Sequence, residues 1–412
     1  MQPVTHLYVH IPFCRHKCGY CDFNAYAGMD RLMPDYVDGL ERELAGAREQ
    51  HEFGRLQTVY LGGGTPSLLP AEELKKLFFA VRQEFKVLPK AEVTVECAPG
   101  TLTDEIIQAL ATHGVNRVSL GVQSFVDQEA ASVARLHTRE KTLSDIERLR
   151  KAGISNINVD LIAGLPHQTR ESWDYSLEQA IATAVPHVSV YMLEVDEDSR
   201  LGRELIAGGT KYHAHFVPDD DLTADFYETA CQRLNGAGVE QYEISNFARK
   251  GFKSRHNLKY WTRQPYVGFG VDAHSMLPAG EQHRAKKADA VRLWTTDDYD
   301  LFFQSPMWGN GLIDRQGAIE ESFFLGLRLN SGVDWQELRE RFGADLDPYC
   351  NAMDELLSEK LLEQSSGKIR LTARGRLLSN EVFQKFVLDR DPRKLGENSL
   401  FYRPIEAARE EI

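Results

Sequence analysis

Long apolar runs are the first thing missing from this sequence. No stretch approaches the roughly 20 residues needed to span a bilayer. The opening "MQPVTHLYVHIPFC" has neither a charged leader ahead of a long apolar segment nor a cleavage site. A cytoplasmic protein is therefore expected. Positive charge is also scarce: 48 Lys and Arg stand against 61 Asp and Glu, a formal net charge of −13. Phosphate contacts need clustered cations, so no nucleic-acid partner is expected. Mixed runs such as "RAKKADAVR" (284–292) read as solvated faces. Cysteine is sparse, six in 412 residues, and in a reducing compartment those six do not make a disulfide frame. No tandem repeat with a period of roughly 20 to 50 residues interrupts the pattern.

What remains has the composition of an ordinary globular chain, long enough for one large domain and one or two smaller ones. Up to about residue 245, strand-like runs alternate with helical ones. The strands are "THLYVHI", "LQTVYLGG", "AEVTVECAP", "VNRVSLGV", "INVDLIAGL" and "HVSVYML"; the helices fall at 34–50, 70–86, 103–113, 140–152 and 170–184. Strands this apolar belong to a parallel sheet buried on both faces. A doubly wound sheet and a barrel share the pattern, and periodicity leaves both open. From about 195 the rhythm breaks. "DEDSRLGRELIAGGT" and "PDDDL" read as loops, 221–236 as a helix, "EQYEISN" as extended, and 251–285 as the least regular part. After a polar stretch at 300–317, helices are expected at 318–329, 334–342 and 348–360, then a hairpin in "LLEQSSGKIRLT" and a last helix at about 373–388. Helices followed by a hairpin suggest a winged-helix-like module, which this acidity makes a packing or lid element.

Cys14, Cys18 and Cys21 stand in a C-x3-C-x2-C spacing in the loop after the first strand. Loops at the C-terminal ends of parallel strands are where β/α proteins place chemistry. Thiolates select zinc or iron–sulfur clusters. A Cys3His zinc site using His10 or His16 is one reading. A cubane short of one thiolate, with an iron open to a ligand, is the other. Cys97, Cys231 and Cys350 are scattered and read as small buried apolar residues. "GGGTP" (62–66) follows the second strand, where three glycines let the backbone approach a ligand. Glu96 and Asp160 end the third and fifth strands, where carboxylates can accept hydrogen bonds from an amine or hydroxyls.

The cysteine spacing, with aromatic Tyr20 just before the last cysteine, resembles the signature of the radical S-adenosylmethionine enzymes. "LYVHIPFC", "GGGTPSLL", "RVSLGVQSF", "RLHT", "NINVDLIAGLPHQT", "YEISNFAR", "RHNLKYW" and "GFGVDAHS" resemble the oxygen-independent coproporphyrinogen oxidase branch, and within it the HemW-type haem chaperones, over residues 7–275. The C-terminal third matches more loosely through "FLGLRL" and "LTARGRLL". The resemblance implies an α/β fold, an open radical-SAM (β/α)6 partial TIM barrel over about residues 1–240. A family-specific segment with the H-N-x-x-Y-W motif (241–300) and a smaller, mainly helical, winged-helix-like C-terminal module (301–412) would follow.

It further implies a [4Fe-4S] cluster on Cys14, Cys18 and Cys21. S-adenosylmethionine would lie against Tyr8, Tyr20, Gly63, Gly64, Thr65, Glu96, Gln123, Arg135 and Asp160. Haem is implied as cargo for apo-haemoproteins, with His256 as its ligand and Tyr260 and Trp261 covering the macrocycle. The alternative, that these aromatics pack the barrel's open side while His256 bonds a backbone carbonyl, stays open. His274 in "DAHS" is a second haem candidate. A peripheral contact with membrane-bound clients is a further expectation, and the oligomeric state is not readable. Phe23, where the coproporphyrinogen III dehydrogenases carry a further cysteine, and the missing N-terminal extension favour a chaperone over that enzyme. "HNLKYW" favours it over a HemN-like methyltransferase. Whether S-adenosylmethionine is turned over stays open, because the resemblance implies cluster and cofactor binding more firmly than catalysis. One departure is "ECAP", where Ala98 replaces the family's asparagine and leaves the bonding of that turn in question.

Overall fold

A computed structural model describes residues 3–388 apart from 22–24, 196, 198 and 305–307. Phe23 thus lies outside the described residues. The apolar runs form six strands: β1 (Val4–Ile11), β2 (Phe53–Gly63), β3 (Val87–Cys97), β4 (Arg117–Gln123), β5 (Asn156–Ala163) and β6 (His187–Met192). Helices α1 (Met33–Gln50), α2 (Ala71–Glu84), α3 (Asp104–Thr112), α4 (Arg139–Lys151) and α5 (Arg170–Ala182) return the chain between them. Threonine hydroxyls cap α3, α4 and α5, Thr103, Thr138 and Thr169 each accepting a backbone N–H of the first turn.

The sheet has nine strands in the order 267–269, β1, β2, β3, β4, β5, β6, 246–248, 240–241, and its ends do not meet. β1 to β6 and Val267–Phe269 run parallel. Asn246–Ala248 and Glu240–Gln241 close the far edge antiparallel. This is an open partial barrel with every parallel strand ending on one face. Leu7, Val9, Leu61, Val95, Val118, Leu120, Val159 and Leu161 are fully buried or nearly so, joined by Trp173 and Leu177 of α5. Burial on both faces explains why the strands read as continuous apolar runs.

Three stretches fold otherwise than the sequence suggests. The expected loop around 200 contains helix α6 (Arg200–Ala207), started by the Ser199 hydroxyl accepting from Gly202 N–H and stopped at Gly208, whose φ is 78°. Residues 284–292 are not simply a solvated face. Ala288–Thr295 is the middle strand of an antiparallel sheet between His274–Pro278 and Trp308–Asp314. Its charges are matched from elsewhere: Arg292 meets Glu321 at 2.8 Å and Asp289 meets Arg263 at 2.9 Å. The expected last helix is two, Ala373–Leu377 and Ser379–Lys385.

The antiparallel sheet takes strands from both sides of residue 300. It gives Met276, Ala290 and Ile313 to a second apolar cluster with Phe323, Leu346, Tyr349, Val382 and Phe386. The C-terminal helices Arg315–Gly326, Trp335–Phe342 and Asp347–Ser358 pack there beside a small sheet of Val333–Asp334, Leu362–Ser365 and Lys368–Leu371, a winged-helix-like arrangement. Among the described residues no helix is long and apolar enough to cross a membrane.

Candidate functional site

At the C-terminal end of the parallel strands lies a cavity of about 750 Å³. Its lining includes Cys14, Cys18 and Cys21, together with Tyr8, Tyr20, Gly63, Gly64, Thr65, Glu96, Gln123, Arg135 and Asp160. The fold thus gathers every residue expected at a cluster and its cofactor. Among the described residues no three His, Cys, Asp or Glu side chains converge on a single metal ion. Three thiols lining one cavity can each serve a separate iron of a cubane. Burial pushes the Cys14 thiol up, while Thr65, 3.8 Å from its sulfur, and the Arg135 and Lys17 charges act in the opposite sense.

The glycine loop is built for close approach. Gly64 N–H donates to Ile11 O at 2.8 Å and Thr65 N–H to Phe13 O at 2.7 Å, which presses the loop against the start of the cysteine segment. A Cβ on Gly64 would meet Phe13 O at 2.5 Å. Gly63 has φ 104° and lies over the His10 ring, where a Cβ would come within 2.6 Å. Only glycine fits either position.

Glu96 accepts from Tyr60 O–H at 2.7 Å and Gly63 N–H at 3.1 Å. Burial pushes it up to about 7, against those two bonds. Asp160 is likewise raised by burial; it accepts from Ser119 Oγ at 3.1 Å and Asn158 Nδ2 at 2.7 Å. The buried Arg117 guanidinium lines the same cavity and offsets both carboxylates. Sequence reasoning missed Arg117 and Tyr60, although strand alternation puts Tyr60 on the face of Gly62.

Between β3 and β5, β4 slips register between Gly121 and Gln123 against β5, and Gln123 has φ 64°. A bulge of this kind re-aims a side chain. Gln123 Oε1 is buried without a partner. Arg135 donates from Nη2 to Tyr20 Oη at 3.2 Å, while its Nε is buried and unpaired. Burial opposes the Arg135 charge, and Tyr20 with Cys18 and Cys14 outweighs that effect. Buried polar atoms are ordinarily bonded. Two unpaired ones facing a cavity beside three thiols fit a polar, zwitterionic ligand held next to a cluster.

Ala98 leaves no gap in its turn. Its N–H donates to Ser67 Oγ at 3.3 Å, its O accepts from Thr101 Oγ1 at 2.7 Å, and Ser67 and Thr101 meet at 2.6 Å. Two hydroxyls bond that turn without the family's amide.

The haem candidates separate. His256 is 1% exposed and does not line the cavity. Its Nδ1 lies 2.6 Å from Thr58 Oγ1, its Nε2 2.9 Å from Tyr260 Oη, and its ring stacks on Tyr60. His256 N–H donates to Glu92, which anchors the helix Arg255–Trp261 against β3. Burial lowers the imidazole to about 3, so it is neutral. The expectation of a free ligand at His256 therefore meets a ring engaged on both nitrogens, bonded to two hydroxyls rather than to a carbonyl. Tyr260 does reach the cavity. Trp261 does not line it; its ring lies 4.5 Å from the Arg328 guanidinium. His274 lines the cavity with its side chain 53% exposed.

The Radical SAM superfamily profile matches residues 8–180, and that of the HemN C-terminal domain matches residues 313–378. The chain is 34% identical to the Heme chaperone HemW of Lactococcus lactis subsp. lactis (strain IL1403), over 94% of this chain and 99% of that one. It is 35% identical to the Heme chaperone HemW of Bacillus subtilis (strain 168), over 92% and 98%. For the Heme chaperone HemW of Escherichia coli (strain K12) the identity is 30%, over 94% and 99%. Among solved structures, coproporphyrinogen III oxidase (HemN) from Escherichia coli, a radical SAM enzyme, superposes with a TM-score of 0.78 at 22% identity, over 93% of this chain and 90% of that one. That is a likeness of fold.

Proposed function

The chain belongs to the HemW heme chaperone family of the Radical SAM superfamily, and from that premise we propose that it holds haem for transfer to apo-haemoproteins in the cytoplasm. It carries a [4Fe-4S] cluster and binds S-adenosylmethionine. Cys14, Cys18 and Cys21 would hold the cluster, which would supply one-electron reducing chemistry at this end of the barrel. Gln123 and Arg135 take the polar groups of the cofactor, Gly63 and Gly64 let it lie against the backbone, and Glu96 and Asp160 accept from its amine and hydroxyls. Tyr8 and Thr65 line the same pocket, and Tyr20 fixes the Arg135 guanidinium. The core barrel (1–240), the family-specific segment (241–300) and the C-terminal module (301–412) divide this work, the last two sharing the antiparallel sheet of His274–Pro278, Ala288–Thr295 and Trp308–Asp314. Peripheral contact with a membrane-bound client belongs to the same reading.

The observation that carries it is the pair of unpaired buried groups, Gln123 Oε1 and Arg135 Nε, in a cavity that also holds the three thiols. The test uses anaerobically reconstituted protein with S-adenosylmethionine and reductant, titrated with haemin in parallel with coproporphyrinogen. Stoichiometric haem uptake and release to an apo-haemoprotein, with the porphyrinogen unchanged, supports the chaperone. Catalytic CO2 release from the porphyrinogen overturns it in favour of the dehydrogenase.

A further inference from the structure

Three histidines line the cavity: His10, His16 and His274. His10 is buried, bonded to Tyr8 and crowded by the glycine loop. His16 lies between Cys14 and Cys18, and its Nδ1 is 2.5 Å from Arg15 O. The His274 ring lies with Nε2 3.9 Å from Asp272 Oδ1, a loose ionic contact.

The turn that presents it is held from several sides. Val267–Phe269 runs parallel to β1, so the chain reaches the cysteine face before reversing into His274–Pro278. Between them, Gly270 N–H donates to Glu43 at 2.8 Å and Val271 N–H to Tyr36 Oη at 3.0 Å. Asp272 N–H donates to Thr296 O at 2.8 Å and Ala273 N–H to Thr295 Oγ1 at 2.8 Å. Asp272 sits at φ 57°, a left-handed conformation unusual for a residue with a side chain. His274 O packs so closely on Gly268 that a Cβ there would lie 2.3 Å away. A strained turn bonded at four successive amides fixes one imidazole at the mouth of the cavity. Tyr260 and Tyr266, edge to face at 4.7 Å, and Asn257 share the lining with it.

We propose that His274 supplies the axial imidazole to haem iron at this mouth, with Asp272 as the carboxylate that orients the ring. The assignment rests on haem being the cargo. A neutral imidazole lone pair is what ferric or ferrous haem requires. A carboxylate behind a metal-bound histidine fixes its orientation and raises its basicity. The aromatic edges beside it suit a flat apolar macrocycle.

The experiment titrates haemin, and separately metal-free protoporphyrin, into the full-length reconstituted wild type, His274→Ala, Asp272→Asn and His256→Phe, recording absorption and electron paramagnetic resonance spectra. His274→Ala should lose the histidine-ligated haem spectrum and bind haemin at least about tenfold more weakly, the scale on which even second partners of metal-bound histidines register. Its iron–sulfur absorption and its affinity for metal-free protoporphyrin should be unchanged, and free imidazole should restore the lost spectrum. Asp272→Asn should weaken haemin binding by a smaller factor, and His256→Phe should keep the histidine-ligated spectrum. An unchanged haem spectrum in His274→Ala, with the wild type binding haem, overturns the ligand assignment alone. A wild type that takes up no haemin overturns both this assignment and the chaperone reading.

Discussion

The two walls of the cavity handle buried polarity in opposite ways. On the Gln123–Arg135 wall, polar atoms are out of water and unpaired. On the wall behind Tyr60, His6, Thr58, His256 and Tyr260 form a chain with contacts of 3.0, 2.6 and 2.9 Å. Burial lowers His6 to about 4 and His256 to about 3, so the chain is neutral and complete without a ligand. An unpaired buried group costs stability until a ligand arrives, whereas a paired one stabilises the scaffold already. The first wall is built to receive and the second to stay put.

The most severe break in that contrast comes from its centre. Cys14→Ala, Cys18→Ala and Cys21→Ala should each abolish the reducible cluster, read as lost iron and lost visible absorption after anaerobic reconstitution. Full iron retention in any one would remove that thiol from the site. Next, Gln123→Ala and Arg135→Met should each weaken S-adenosylmethionine about tenfold or more, since a charge-assisted bond is worth about 1.5–3 kcal/mol. Gln123→Ala should leave the melting temperature unchanged, because its Oε1 has no partner to lose, whereas Arg135→Met gives up only the Nη2 bond to Tyr20 Oη and should lower it slightly. Calorimetric titration and thermal melts on the same samples check both halves.

His256→Phe should do the reverse. It takes the His256 partner from the Tyr260 hydroxyl, leaves Thr58 with His6 alone, and should cost about 1–3 kcal/mol in a urea melt, with iron content and cofactor affinity kept. Equal loss of both would erase the distinction between the walls. An effect that appears only as a pH dependence is expected at Glu43, which burial raises from 4.5 to about 8, against the Gly270 N–H. Between those values the folded protein holds a proton that the unfolded chain has released. Stability from this group is therefore full below about pH 4.5 and is lost as pH rises toward 8. Glu43→Gln should flatten that slope, bringing its melting curve level with wild type at low pH and above it at pH 8.

The legible parts of this molecule are those whose cause is local. Cys14, Cys18 and Cys21, and Gly62 to Gly64, sit within a few positions of one another, and β1 to β6 announce themselves by continuous apolarity. The central strand Ala288–Thr295 was hidden because its charges look solvated until Glu321 and Arg263 arrive from distant sequence. α6 was masked by the acidic run ahead of it, though Ser199 and Gly208 bracket it as cap and stop. The posture of His256 depends on Thr58, nearly two hundred residues earlier. No reading of "HNLKYW" alone could say that both its nitrogens were taken.

α6 also fixes an order of events. Leu201 N–H donates to Gly19 O at 2.8 Å, Arg200 Nη1 to Lys17 O at 3.2 Å, and the Tyr212 ring covers Gly19. The cysteines leave the ribosome long before the segment that braces their loop. In a nascent chain that loop is unheld, whereas in the finished chain its backbone is tied at Lys17 and Gly19 while Cys14 and Cys21 stay partly exposed. Completion of the chain therefore stiffens the cysteine loop without closing it, so a cluster donor meets a held loop late and a loose one early.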